Sequence, residues 1–126
     1  MADDYREMKS ALSSLRSNAF NIQSLLRMAQ DGQNSTEILT KITYAIENHF
    51  DRVESLHLEI PEENREDHRQ ILKQFETMRD DWLNGMMTET DYAEALNLRL
   101  FNHFSSYFQP LLDTYLDDAS TLQFRV

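Results

Sequence analysis

Cysteine is absent from the 126 residues, and glycine and proline occur only twice each. Without cysteine the chain has no disulfide framework, no thiolate metal ligand and no cysteine nucleophile. Because glycine and proline are so rare, the sequence offers few turns, and its helices or strands must be long. We therefore expect one domain of long elements, large enough to bury a core without covalent cross-links.

Positive charge is also scarce, since 12 lysines and arginines stand against 22 aspartates and glutamates and the net charge is -10. Nucleic acids and anionic membranes both require a basic surface, so we expect neither as a partner. No apolar run approaches the ~20 residues of a membrane-spanning helix, and the first ten residues do not resemble a signal peptide. We therefore expect a cytoplasmic protein with no membrane contact.

Apolar residues recur every three or four positions in four segments, which predicts four amphipathic helices. The predicted helices cover residues 4–30, 35–59, 62–83 and 89–118. Their connections are short, and short connections favour antiparallel neighbours. The predicted fold class is therefore all-α, an up-down-up-down four-helix bundle over residues 1–118 with a C-terminal tail over 119–126.

Local signals mark the ends of these helices. Gly32 is predicted to adopt the left-handed conformation that closes the first helix. Ser35 and Thr88 are predicted N-caps, and Pro61 ends the second helix. Pro110 lies inside the fourth helix and is predicted to kink it, because proline donates no backbone hydrogen bond.

Three histidines, His49, His68 and His103, lie on the apolar stripes of three different helices. Each is predicted to point into the bundle, where converging imidazoles hold metal ions in many bundle cores. The alternative is that each is an ordinary core histidine with one hydrogen bond. The residue pattern alone favours that alternative, although three such positions strengthen the case for a site.

The segments around these histidines read ITYAIENHF over 42–50, IPEENREDHRQILKQF over 60–75 and RLFNHFSSYFQPLLD over 99–113. In these segments the chain resembles the hemerythrin-like domains, and the resemblance covers roughly residues 38–115. It implies a four-helix bundle whose core binds oxygen at two bridged irons, held by histidines and carboxylates.

The positions that correspond to the bridging carboxylates of that family are apolar here. Val53 lies four residues after His49, where the resemblance implies a glutamate, and Phe108 lies five after His103, where it implies an aspartate. Two adjacent irons need anionic bridges to offset their charge. We therefore expect the di-iron oxygen site to be absent.

Further histidine ligands are missing as well. The resemblance implies a histidine four residues from His68, but those positions hold Asn64 and Leu72, and the first helix has no histidine. What remains is a reduced site of His49, His68 and His103 that would hold a single Fe or Zn ion with an open coordination position.

The fourth helix carries an apolar arc that is wider than a one-sided surface helix needs. One interpretation is that Leu122, Phe124 and Val126 of the tail fold back and cover the excess. The other is an exposed patch that binds a protein partner or a second copy of the chain. The residues predicted to form this partner-binding patch are Phe101, Phe104, Phe108, Leu112 and Tyr115.

No residue pattern in the chain predicts catalysis, so we expect no enzyme and no cofactor. The leading hypothesis is a non-enzymatic regulatory or protein-interaction module, built on a hemerythrin-like bundle that has lost its di-iron site. The alternative hypothesis is a metal-binding, oxygen-sensing or redox-sensing protein that uses the reduced histidine site. Analysis of the purified protein for bound iron, zinc or manganese separates these two hypotheses. A third hypothesis is an anti-activator or chaperone-like bundle unrelated to hemerythrins, and whether the three histidines converge in the structure discriminates it from the others.

Overall fold

The computed structural model describes residues 2–56 and 58–116, and nearly all of them are helical. The helices are α1 (Ala2–Gln30), α2 (Ser35–Glu54), α3 (Glu62–Leu83), α4 (Glu89–His103) and α5 (Gln109–Tyr115). A π-helical segment, Phe104–Phe108, joins α4 to α5. The three pieces α4, π segment and α5 together form one long fourth helix.

The helices pack as a four-helix bundle. Helix α1 packs against α2 and α4, and α3 packs against α2 and α4, so helices that follow one another along the chain are neighbours. The predicted all-α four-helix bundle is confirmed. Within the described residues no helix has the length and apolar character needed to cross a membrane.

The buried core draws apolar side chains from every helix. Helix α1 buries a stripe with three-four spacing, as its pattern predicts. That stripe consists of Leu12, Leu15, Ala19, Ile22, Leu26 and Ala29. The stripes of α2, α3 and the fourth helix close over it.

Two of the predicted helix ends are confirmed. Gly32 follows α1 with φ 82°, a left-handed conformation that glycine adopts without a steric penalty. The Thr88 side chain accepts a hydrogen bond from the Asp91 backbone N–H at 3.1 Å, which caps α4.

Two other predicted ends are wrong. The N-cap of α2 is Asn34, in a left-handed conformation, and not Ser35. Helix α2 also ends at Glu54 rather than at residue 59. Its last turn closes because the Ser55 backbone N–H and hydroxyl both donate to the Asp51 carbonyl, at 3.0 and 2.7 Å. A serine side chain that competes for a backbone carbonyl in this way favours a helix end.

The π segment accommodates both Pro110 and the spacing of the core residues. The Gln109 N–H bonds to the Phe104 carbonyl, five residues back, and Pro110 then lies in the first turn of α5. Buried side chains along the fourth helix follow one another at intervals of four residues: Tyr92, Leu96, Leu100, Phe104, Phe108, Leu112 and Leu116. In a regular α-helix this spacing drifts by about 40° at each step. A π turn holds more residues, and it therefore returns the later side chains to the core.

The expected exposed patch on the fourth helix is wrong for three of its five residues. Phe104, Phe108 and Leu112 are buried, and Phe101 and Tyr115 are partly buried against the core. The apolar arc is wide because α4 contacts α1, α2 and α3. A helix with three helical neighbours needs a broader apolar surface than one that lies on a flat face.

The predicted fourth helix extends to residue 118, and the described helix ends at Tyr115, followed by Leu116 in an extended conformation. The predicted tail over 119–126, and the predicted covering by Leu122, Phe124 and Val126, lie outside the described residues.

Candidate functional site

The three histidines are all in the core, as predicted. His49 lies on α2, His68 on α3 and His103 at the end of α4, and none is more than 2% exposed. Each occupies an inward position because it continues the apolar spacing of its helix. Burial of three imidazoles at one end of a bundle requires polar partners, because an unpaired buried polar group is costly.

His68 and His103 form a pair. Their ring centroids are 4.8 Å apart, with the planes tilted by 56°. Phe50 stacks on His68 at 4.1 Å with nearly parallel planes, and it meets His103 edge-on at 5.1 Å. Tyr107 of the π segment lies 5.4 Å from the His103 ring. Aromatic rings therefore hold both imidazoles in fixed orientations.

His49 has a different set of neighbours. Its ring packs edge-on against Phe104 at 5.4 Å and Phe108 at 5.0 Å, and its Nδ1 lies 3.0 Å from the Asn18 Oδ1 on α1. Over residues 2–56 and 58–116, no three His, Cys, Asp or Glu side chains are placed to hold one metal ion. The structure thus pairs His68 with His103 and does not join His49 to them as a third ligand.

A carboxylate and an arginine support His68. The His68 Nδ1 lies 3.0 Å from one oxygen of Glu54, the last residue of α2. Arg65 donates to the other oxygen of that carboxylate at 3.2 Å. Because α2 ends at Glu54, this side chain lies at the helix terminus that faces α3, where it contacts His68.

His103 has an equivalent pair of supports. Its Nδ1 lies 2.6 Å from one oxygen of Asp67, and Arg99 donates to the other oxygen at 2.6 Å. Arg99 is held in turn by the Gln74 side chain at 2.9 Å. The two members of the pair are thus built alike, each as a buried imidazole, a half-buried carboxylate and a more exposed arginine.

The three buried histidines are neutral at pH 7. Burial lowers the pKa of His103 to about 4, against the opposing hydrogen bond to Asp67. Burial, with repulsion from the other two histidines, lowers the pKa of His49 to about 3. Burial also lowers the pKa of His68 despite the hydrogen bond to Glu54. The contacts with Glu54 and Asp67 are therefore hydrogen bonds from a neutral Nδ1–H and not ion pairs.

The carboxylate of Asp67 stays charged. Burial by itself raises its pKa, but hydrogen bonds from Arg99 and His103 outweigh burial, and the pKa is lower than usual. A charged acceptor at Nδ1 fixes the proton on that nitrogen. The lone pair at Nε2 is then available, which is the form in which imidazole binds a metal ion.

The residues present do not fit a bridged di-iron centre. Val53 and Phe108, at the positions where the resemblance implies bridging carboxylates, are both buried apolar side chains of the core. Phe108 also packs edge-on against the His49 ring. Both positions are thus part of the packed apolar core.

The supporting residues were not predicted from the sequence. Asn18, Glu54, Asp67, Arg65 and Arg99 are polar residues beside the apolar stripes, where solvated side chains are the rule. One signal existed, because Arg99 lies four residues before His103 and therefore on the same helix face. Contacts such as Glu54 with Arg65 join different helices and leave no local pattern.

Comparison of the chain with protein-family models, with curated proteins and with solved structures gives no match. The resemblance to hemerythrin-like domains therefore stays a prediction based on the motifs around His49, His68 and His103.

Proposed function

We propose that this chain is a metal-binding or metal-sensing protein that holds a single divalent transition-metal ion at the Nε2 atoms of His68 and His103. The observation that carries this proposal is the pair itself: two buried, neutral imidazoles with ring centroids 4.8 Å apart. Two imidazoles that share one ion through bonds of ~2.0–2.1 Å have ring centres on the order of 5 Å apart.

The supports behind the pair favour a binding site over two ordinary core histidines. A core histidine needs only one hydrogen bond, and a serine hydroxyl or a backbone carbonyl could accept it. Here each Nδ1–H instead meets a carboxylate that also accepts a hydrogen bond from an arginine, through Glu54 with Arg65 and Asp67 with Arg99. Carboxylates in this position raise the basicity of the imidazole and fix its orientation toward a metal.

Imidazole nitrogen suits zinc, iron, nickel and copper among the divalent ions. One such ion would be held by neutral nitrogens, with the charges of Glu54 and Asp67 behind them to offset its own. Such a site resembles the reduced histidine site expected from the sequence, with His49 outside it.

The test is metal binding by purified protein that has been stripped with a chelator. We expect about one zinc or ferrous ion per chain by elemental analysis after dialysis, with affinity measured by calorimetry. His68→Leu and His103→Leu should each weaken binding at least 100-fold. His49→Leu is the matched control, because it removes an equally buried histidine outside the pair, and its affinity should stay within threefold of the unchanged chain.

The proposal is contradicted if the unchanged chain binds none of zinc, iron, nickel and copper at about one ion per chain. It is also contradicted if the three histidine variants bind metal equally well. Thermal unfolding of each stripped variant checks that a loss of binding is not a loss of the fold. A variant that unfolds is replaced by its glutamine counterpart, which retains polarity at the site but supplies no imidazole.

A protein-interaction module is the second candidate, and a different surface from the expected one favours it. At the α3–α4 turn Leu83 is 66% and Met86 79% exposed, beside the acidic residues Asp80 and Asp81. An exposed apolar pair with acidic neighbours fits a protein partner that presents apolar side chains flanked by lysine or arginine.

The double variant Leu83→Asp with Met86→Asp tests this second candidate. A partner protein that binds the unchanged chain should not bind the double variant. Moderate salt should release that partner from the unchanged chain. Tyr44→Asp, at an exposed apolar residue on α2, is the control that should retain it. Equal capture by all three proteins would exclude the turn as the binding surface.

A further inference from the structure

Asn64 is a buried side chain with an unused acceptor. It is 2% exposed, and its Oδ1 has no hydrogen-bond partner among the described residues. A carbonyl oxygen that is removed from water and left unpaired is unfavourable, and native proteins retain few of them. The Oδ1 of Asn64 is therefore an acceptor in the core that no described residue uses.

The position of Asn64 relative to His68 is the basis for assigning a partner to this oxygen. Asn64 lies in α3 four residues before His68, and residues at this spacing lie one turn apart on the same helix face. Both are buried on the inward face of α3, where His68 meets His103. The unpaired oxygen is thus carried by a residue one helical turn from an imidazole whose Nδ1 is occupied by Glu54.

We propose that the Oδ1 of Asn64 is the third protein ligand of the ion held by His68 and His103. This inference rests on the proposed metal-binding function and adds to it a ligand and a donor set. Two imidazole nitrogens and one amide oxygen form a neutral set of three, which leaves a coordination position for water or a small anion. The set suits zinc and ferrous iron, and it disfavours cuprous copper, which selects sulfur ligands.

Asn97 offers a matched control. It is also buried, at 1% exposure, and its Oδ1 likewise has no partner within the described part of the chain. It lies on α4 six residues before His103, which places it ~9 Å away along the helix axis. Removal of Asn97 therefore removes the same kind of unpaired atom at a place where it cannot reach the ion.

The experiment compares Asn64→Leu, Asn64→Asp and Asn97→Leu in the full chain. Zinc affinity is measured by competition with a chromogenic chelator, and cobalt(II) replaces zinc for absorption spectra. Asn64→Leu should weaken zinc binding at least tenfold and change the cobalt spectrum. Asn64→Asp, which offers an anionic oxygen at the same position, should strengthen binding at least tenfold. Asn97→Leu should leave both readouts unchanged.

The thermal midpoints of the stripped proteins separate a ligand from a structural residue. If Asn64 is a ligand, Asn64→Leu should be at least as stable without metal as the unchanged chain, because an unpaired acceptor has been removed. Zinc binding by Asn64→Leu with unchanged affinity and spectrum would overturn this inference and leave the His68–His103 site intact. Absence of binding by the unchanged chain would overturn both. If Asn64→Leu does not fold, Asn64→Asp provides the test. A higher zinc affinity in Asn64→Asp supports Asn64 as a ligand, and an unchanged affinity overturns the inference.

Discussion

The two ends of the bundle differ in how the polar atoms of their buried aromatic rings are paired. At the histidine end, defined by His49, His68 and His103, each imidazole has an acceptor at its Nδ1. At the turn end, near the α3–α4 connection, Tyr92 is fully buried and stacks on Trp82 at 5.3 Å. Its hydroxyl has no hydrogen-bond partner in the described structure.

The difference shows what each end is built for. Side chains that reach in from the surface, such as Glu54 and Asp67, organise the histidine end and keep the proton of His68 and His103 on Nδ1. The turn end is stabilised by burial of apolar area and by ring stacking, and the Tyr92 hydroxyl contributes no hydrogen bond there. Networks of satisfied buried polar groups specify geometry, which a binding site requires and an ordinary core does not.

Loss of the Phe50 ring from the histidine end gives the largest expected effect. Phe50→Ala should lower the free energy of unfolding by about 3–5 kcal/mol in urea denaturation, because it removes a buried ring and leaves a cavity. It should also raise the pKa of His68, measured by NMR titration, since Phe50 stacks on that imidazole and excludes water.

Leu96→Ala, at a fully buried residue of α4 seven positions before His103, is the control for this prediction. It should lower the free energy of unfolding by about 2–5 kcal/mol without a change in the histidine titration. Equal titration of His68 in both variants would contradict the role assigned to Phe50.

Acid should destabilise the metal-free protein through the histidine end. The pKa of His49 is lowered to about 3 and that of His103 to about 4, from 6.5, so below pH 6.5 the unfolded chain binds more protons than the native one. Stability therefore falls as the pH falls below 6.5. Each histidine contributes at most ~1.4 kcal/mol per pH unit, which predicts a loss of about 2–3 kcal/mol between pH 6 and 5.

Urea denaturation at several pH values in the presence of a chelator measures this slope. His49→Leu should reduce it, because one depressed imidazole is gone. The Asp67 carboxylate, whose pKa is also lowered, stays charged through this window and adds to the loss only at lower pH. A stability that does not change between pH 6.5 and 5 would contradict the neutral state assigned to the histidines.

The smallest expected effect is at the turn end. Tyr92→Phe removes a hydroxyl that lacks a partner and retains the ring that stacks on Trp82. It should raise the free energy of unfolding by about 1 kcal/mol, because an unpaired buried hydroxyl is lost without a cavity. Thermal and urea denaturation at pH 7 measure the gain, and destabilisation instead would reveal a hydrogen bond at the Tyr92 hydroxyl.

The sequence by itself determined the four helices, their core stripes and the inward direction of three histidines. These follow from apolar residues at three-four spacing, which fixes the buried face of a helix wherever the helix packs. The caps at Gly32 and Thr88 follow from local backbone geometry in the same way. Such features depend on residues within a turn or two of one another.

Only the tertiary structure decided which histidines meet and which residues support them. His68 pairs with His103 while His49 packs with Phe104, because the depth and rotation of each helix in the bundle set the distances between rings. The π segment and the three neighbours of α4 likewise turned a predicted surface into core. Contacts between helices depend on how all four pack together, and no local spacing encodes that arrangement.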